Sequence, residues 1–117
     1  MTGGRIINLR LDGSRFDDAA IEHACKFKWL QGLSLAGSSI TDAGLKKISQ
    51  LRNLESITII SNRATDKGMG YLSYSPSLHY VWLAKTDKMT SRGIEALKKS
   101  IPGIQIYITN RPQKKTI

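Results

Sequence analysis

The chain has 117 residues, 40% of them hydrophobic, and no apolar run approaches the roughly 18 residues of a membrane-spanning helix. Eighteen Lys and Arg against nine Asp and Glu give a formal net charge of +9, which favours anionic partners, and the one cysteine, Cys25, excludes an internal disulfide. The opening Met-Thr-Gly-Gly-Arg lacks the apolar stretch of a signal peptide, so we expect a cytoplasmic protein, with a mitochondrial or other intracellular compartment as the alternative.

A short apolar phrase recurs four times at a spacing of 24 residues. Its four copies are Leu9-Arg10-Leu11, Leu33-Ser34-Leu35, Ile57-Thr58-Ile59 and Val81-Trp82-Leu83. Each copy runs into a second phrase at a constant offset, typified by Ile40-Thr41-Asp42-Ala43-Gly44-Leu45, and the fourth comes one residue late. An internal period of this length indicates a solenoid.

Each repeat reads as a strand followed by a helix. In the second repeat Leu33 and Leu35 alternate with small residues, the period of a half-buried strand. Apolar residues then continue at helical spacing through Leu45 and Ile48, with Thr41 as the predicted N-cap. A strand and a helix within 24 residues require parallel strands. The first strand is predicted over Arg5 to Asp12, and the last over Ile104 to Ile108 with no helix after it.

Two columns of residues recur at fixed offsets in the four repeats. The small column is predicted to let each helix approach the strand layer closely, because glycine inside a helix costs about 1 kcal/mol relative to alanine and needs a packing reason. The polar column is predicted to satisfy backbone groups in the turn after each strand. The small column is Ala20, Gly44, Gly68 and Gly93, and the polar column is Ser14, Ser38, Asn62 and Thr86.

These phrases resemble a leucine-rich repeat protein whose repeats carry L-x-x-L-x-L and an I/V-T-D-x-G-L helix start, matched by Leu30 to Leu35 and Ile40 to Leu45. The repeats are similar to the bacterial and the cysteine-containing subclasses, and the C-terminal half, from Ala64 to Ile104, is also similar to the mitochondrial ATP synthase subunit s-like family of assembly factors. The resemblance implies an α/β fold. We expect a right-handed solenoid of four to five coils, with the parallel β-sheet on its concave face and α-helices on its convex face.

We expect one leucine-rich repeat domain over residues 1–110, followed by a basic tail over residues 111–117. The strand at Ile6 to Leu11 has no long cap before it, which leaves a sheet edge open. Pro112 and the lysines of the tail discourage pairing at the other end. The sequence therefore predicts that self-association through strand addition, if it occurs, uses the N-terminal edge.

The outward residues of the strands are expected to build a binding grid on the concave face. The candidate partner-binding residues are Arg10, Ser34, Thr58, Ile60, Tyr80, Trp82 and Tyr107. Large rings crowd its C-terminal end, and exposed Tyr and Trp are enriched at interface hot spots. Three readings remain open: the rings pack on one another or on the tail, they bind a partner, or they join identical chains. Trp29 is predicted to shield the edge of the first coil, and Phe27 to align with core Leu51.

The sequence contains no convergent catalytic group, no metal-ligand cluster and no phosphate-binding glycine loop, so we expect no enzyme, no cofactor and no metal. Cys25 is predicted to be a half-exposed helix residue. A protein-binding scaffold, adaptor or assembly factor of unknown partner is the predicted function. The alternative is binding of nucleic acid or another anionic surface through the positive charge. Much of that charge lies toward the middle or end of predicted helices, where cations favour the helix dipole.

Overall fold

The computed structural model describes residues 7–13, 15–36, 39–60, 63–84 and 88–108. These residues form an α/β fold with a five-stranded parallel sheet and four helices. In chain order the elements are β1 (Asn8–Arg10), α1 (Asp18–Ala24), β2 (Gly32–Ser34), α2 (Asp42–Ile48), β3 (Ser56–Ile59), α3 (Asp66–Leu72), β4 (Tyr80–Leu83), α4 (Ser91–Ser100) and β5 (Gln105–Ile108). The strands lie side by side in this same order, as the repeats predict.

The strand register follows the period of the sequence. Leu9 pairs with Leu33, Leu33 with Ile57, and Ile57 with Val81, so equivalent residues of successive repeats are neighbours in the sheet. Val81 in turn pairs with Ile106, one residue later than the period because the fourth repeat is longer. The first strand is shorter than predicted: Leu11 and Asp12 lie beyond it, and Arg5 and Ile6 fall outside the described residues.

The core lies between the sheet and the helices. Alternate strand residues such as Leu33, Ile57 and Val81 are buried, and the helices meet them with residues such as Leu45 and Met69. Each helix packs against the helix of the next repeat, and each strand against the next strand. Neighbouring strand–helix units therefore stabilise one another. None of the helices in the described ranges is long and apolar enough to cross a membrane.

A Thr-Asp pair at the helix starts links each unit to the next. The predicted N-cap is confirmed at Thr41, whose Oγ1 accepts the amide hydrogen of Ala43. The same hydroxyl donates to Asp18 Oδ2, and the Thr41 amide donates to Asp18 Oδ1 at 2.9 Å. Asp18 starts the preceding helix. The link recurs from Asp42 to Thr65 and from Asp66 to Thr90. In both, the threonine amide and hydroxyl donate to the two carboxylate oxygens at 2.6–2.7 Å.

The Thr-Asp pair is replaced at the first and at the last of the four described helices. Asp17 occupies the threonine position of α1 and caps only its own helix, accepting from the Ala19 amide at 3.0 Å. Ser91 occupies the aspartate position of α4, the last helix in the described part of the chain. The predicted polar column of Ser14, Ser38, Asn62 and Thr86 lies outside the described residues.

The prediction that the glycine column faces the strand layer is wrong. A Cβ atom placed on Gly44 would meet Asp18 Oδ1 closer than real Cβ atoms come, and Ile40 Cγ2 at 2.7 Å. Gly68 and Gly93 meet the Oδ1 atoms of the preceding aspartates in the same way, Asp42 and Asp66. The glycines therefore make room for the aspartate of the previous helix. Ala20, the equivalent in α1, is half-buried.

Phe27 aligns with core Leu51, but the two residues differ in burial. Phe27 is 38% exposed, whereas Leu51 is 5% exposed. Leu51 lies between units on both sides, while no described helix precedes that of Phe27. Trp29, which is predicted to shield the edge of the first coil, is 53% exposed.

Candidate functional site

The sheet face that points away from the helices brings most of the predicted site residues into one row. Arg10, Ser34, Thr58, Trp82 and Tyr107 are register partners on five adjacent strands. Tyr80 lies two residues before Trp82 on β4, and half-buried Ile60 lies two residues after Thr58. Alternation along the strands explains why these side chains share one face. The six of these residues that lie within strands therefore share one surface, and Ile60 immediately follows β3.

Three aromatic rings dominate the C-terminal end of this face. The centroids of Trp82 and Tyr107 are 5.1 Å apart with 23° between ring planes, and those of Tyr80 and Trp82 are 6.2 Å apart with 29°. The rings therefore stack on one another, which was one of the open readings. They stay accessible, with 43% of Tyr80, 40% of Trp82 and 44% of Tyr107 exposed. We call these three residues the aromatic row.

A polar cluster occupies the opposite end of the face. The guanidinium of Arg10 donates to Asp12 Oδ2 from Nε at 3.1 Å and from Nη2 at 2.8 Å. Ser34 Oγ donates to Asp12 Oδ1 at 2.7 Å, and so does the Ala36 amide at 3.1 Å. The Ser34 hydrogen bond, helped by Arg10, lowers the pKa of the Asp12 carboxyl. Two predicted binding residues, Arg10 and Ser34, are thus held together by an aspartate that also contacts the next unit.

The lowered pKa of Asp12 predicts that the stability of the fold depends on pH. The pKa of Asp12 is lower in the folded chain than its ordinary value of 3.8, so its ionised form stabilises the fold above that value. The contribution is lost as the pH falls through the folded-state pKa. We expect Asp12→Asn to be less stable than the wild type near neutrality and to converge with it in acid, measured by urea unfolding across pH. A difference that stays constant with pH would contradict this.

The described cations outside the sheet face lie in the helices and in the segments that join helices and strands. The later half of a helix, or the segment after it, carries Lys26, Lys28, Lys46, Lys47, Arg52, Lys98 and Lys99, and the first half of a helix, or the segment before it, carries Arg15, Arg63, Lys67, Lys88 and Arg92. Glu22 pairs with Lys47 at 2.6 Å, which lowers the pKa of Glu22 and raises that of Lys47. On the described sheet face the one cation is Arg10, paired with Asp12. Among the described residues, the positive charge therefore does not accumulate on the face that carries the aromatic row.

Cys25 lies apart from this face, at the C-terminal end of α1. It lines a cavity of about 260 Å³ together with Lys28, Gln50, Leu51, Arg52 and Asn53. Burial raises the pKa of the Cys25 thiol, whose Sγ lies 3.7 Å from the Lys47 carbonyl oxygen, so the neutral form is favoured. In the ranges the structure describes, no three His, Cys, Asp or Glu side chains come close enough to hold a metal ion.

The sequence located the face but missed its internal bonding. Alternation placed the outward residues correctly, whereas the bonds of Asp12 to Arg10 and Ser34 join residues two and 22 positions apart and carry no periodic signal. The sequence predicted the stacking of the aromatic rings only as one of three open interpretations. No protein-family model matches the chain, and the search of curated proteins finds no match for it.

Proposed function

We propose that this chain is a non-catalytic protein-binding module built as a leucine-rich repeat solenoid, with the sheet on its concave face. The register of equivalent residues, one repeat per strand, supports the repeat architecture. So do the Asp-to-Thr links, because they join every unit to the next with the same atoms. A solenoid presents side chains of successive repeats on one surface, which suits a scaffold, adaptor or assembly factor.

The exposed aromatic row carries this proposal. Tyr and Trp provide large contact area with a polar tip, and rings pre-ordered by stacking lose little conformational entropy on binding. Ser34 and Thr58 continue the same row with short hydroxyl side chains. The partner surface that fits is therefore a protein segment whose apolar side chains cover the rings and whose polar groups reach the hydroxyls.

Binding of nucleic acid is the alternative, and the position of the charge weakens it. Phosphate contacts need cations beside the stacking rings, as in single-strand binding grooves. The described sheet face has only Arg10, which is held by Asp12 at the far end of the row. The dependence of binding on salt concentration distinguishes protein binding from nucleic-acid binding. Association with nucleic acid weakens steeply as the salt concentration rises, whereas a contact centred on aromatic rings largely persists.

Trp82→Ala is expected to weaken partner binding by more than about 2 kcal/mol while leaving the fold intact, because Trp82 contacts both other rings and lies at the centre of the row. The partner is first captured from the source cell at two salt concentrations. Its affinity for purified wild-type and variant chains is then measured by calorimetry.

The matched control is Tyr74→Ala. Tyr74 is a 77% exposed aromatic residue that follows α3 and lies away from the sheet face. We expect it to bind the partner like the wild type. Equal affinities of the Trp82→Ala and wild-type chains would remove the aromatic row from the interface. A partner that is released by nuclease or by high salt would instead support the anionic alternative.

A further inference from the structure

The first strand–helix unit exposes a set of apolar side chains. Ile7 is 43% exposed, Phe27 38% and Trp29 53%. Ile7 immediately precedes β1, and the two rings lie in the segment between α1 and β2. We call these three residues the N-terminal apolar patch. Exposed apolar patches on a folded chain commonly mark interaction surfaces.

The patch is peculiar to the first unit. By the strand register, the positions equivalent to Ile7 are Gln31, Glu55 and His79, and those equivalent to Trp29 are Asn53 and Ser77. Later units therefore place polar residues where the first unit has an isoleucine and a tryptophan. The position equivalent to Phe27 in the second unit is the buried Leu51. The first unit thus exposes apolar surface that the following units replace or cover.

The same unit forms one edge of the sheet. β1 is the first strand in the sheet order, and its inward backbone groups are fixed by the bonds of Gln31 N to Ile7 O at 2.7 Å and of Leu11 N to Ser34 O at 2.8 Å. Backbone groups alternate sides along a strand. The N–H and C=O groups of Asn8 and Arg10 therefore point away from β2, toward the side of β1 on which no other described strand lies.

Charge determines which partner fits this end. Residues 7–31 carry four cations and four carboxylates, namely Arg10, Arg15, Lys26 and Lys28 against Asp12, Asp17, Asp18 and Glu22. The rest of the chain carries the whole net charge of +9. Two copies of so basic a chain repel one another wherever their charged parts meet. Residues 7–31, where the charges balance, are the part of the chain in which two copies approach with less repulsion.

We propose that the N-terminal apolar patch and β1 bind a second copy of this chain. A two-fold axis beside β1 makes the two edge strands antiparallel, with Asn8 of each chain opposite Arg10 of the other. Their outward backbone groups pair, and the two five-stranded sheets become one of ten strands. The same pairing puts Ile7 of each chain opposite Leu11 of the other, so each apolar patch lies against the C-terminal end of the partner's β1. The aromatic rows then lie at the two far ends, free for partners.

Sedimentation velocity over a range of protein concentrations tests the proposal. The wild type is expected to sediment as a monomer when dilute and as a dimer when concentrated. Trp29→Ser and Ile7→Gln introduce residues that later units carry at the same positions. We expect each to raise the dimer dissociation constant at least thirtyfold, the effect of removing a hot-spot residue. Circular dichroism checks that both variants fold.

Trp82→Ser is the matched control, because it removes the other tryptophan of the chain from the opposite end of the sheet. It should dimerise like the wild type. Loss of the dimer in Trp82→Ser but not in Trp29→Ser would overturn the proposal and make the aromatic row the self-contact. A wild type that stays monomeric at millimolar concentration overturns it as well.

Hydrogen exchange followed by NMR locates the contact. The amides of Asn8 and Arg10 are expected to exchange more slowly in concentrated than in dilute protein. The outward amides of the other edge strand, Ile106 and Ile108, are the internal control, since Gln105 N bonds inward to His79 O at 2.8 Å. Protection that rises at Ile106 and Ile108 instead would contradict docking through β1.

Discussion

Replacing Gly68 by alanine is expected to destabilise the fold by about 3 kcal/mol, whereas the same change at Gly70 is expected to stabilise it by up to about 1 kcal/mol. Both glycines lie in α3. A Cβ on Gly68 would overlap Asp42 Oδ1 and come within 2.8 Å of Leu45 Cδ1, while a Cβ on Gly70 meets nothing within 4 Å. At Gly70 only the higher helix propensity of alanine acts. Urea unfolding of the two variants measures the contrast.

A double-mutant cycle identifies the atom that makes Gly68 necessary. Asp42 cannot turn away without losing its bonds to the Thr65 amide and hydroxyl. In an Asp42→Ala background those bonds are already absent and only the end of the Leu45 side chain remains too close, so adding Gly68→Ala should cost at least about 1 kcal/mol less than in the wild type. If the glycine faced the sheet, as the sequence suggested, the cost would be the same in both backgrounds.

The sequence predicted the architecture because its signals are periodic. Leu33, Ile57 and Val81 recur at the spacing of the strands, and parallel pairing follows from a helix between each two strands. The N-cap at Thr41 was predicted for the same reason, and the structure has a threonine N-cap at the equivalent Thr65. Repetition therefore determined which elements form, their order and their register.

What repetition could not supply is the direction of contacts between units. The glycine column was correctly recognised as a place of close approach, but one strand–helix unit by itself suggests the sheet as the neighbour. The actual neighbour of Gly93 is Asp66, which belongs to the previous helix. Phe27 aligns with the buried Leu51 yet is exposed, because burial at that position depends on neighbouring units on both sides. The aromatic row was located by alternation, yet its stacking depends on ring orientation across β4 and β5.

Asp66→Ala is expected to destabilise the chain by about 3 kcal/mol, whereas Asp17→Ala is expected to cost about 1 kcal/mol. Asp66 accepts from the Thr90 amide at 2.7 Å and the Thr90 hydroxyl at 2.6 Å, across the boundary between two units. Hydrogen bonds to a charged group are about twice as strong as neutral ones, and removing the carboxylate leaves two partly buried donors. Asp17 loses only the cap of its own helix.

Thr90 allows the link between units to be separated from helix capping. Thr41 and Thr65 both cap their own helices, but Thr90 makes no side-chain cap bond, so its hydroxyl acts in the link alone. Thr90→Val is therefore expected to cost about 1.5 kcal/mol. Combined with Asp66→Ala it should add little, giving a coupling energy above about 1 kcal/mol in denaturant unfolding. Additive losses, or an Asp66→Ala variant as stable as Asp17→Ala, would mean that packing alone joins the units.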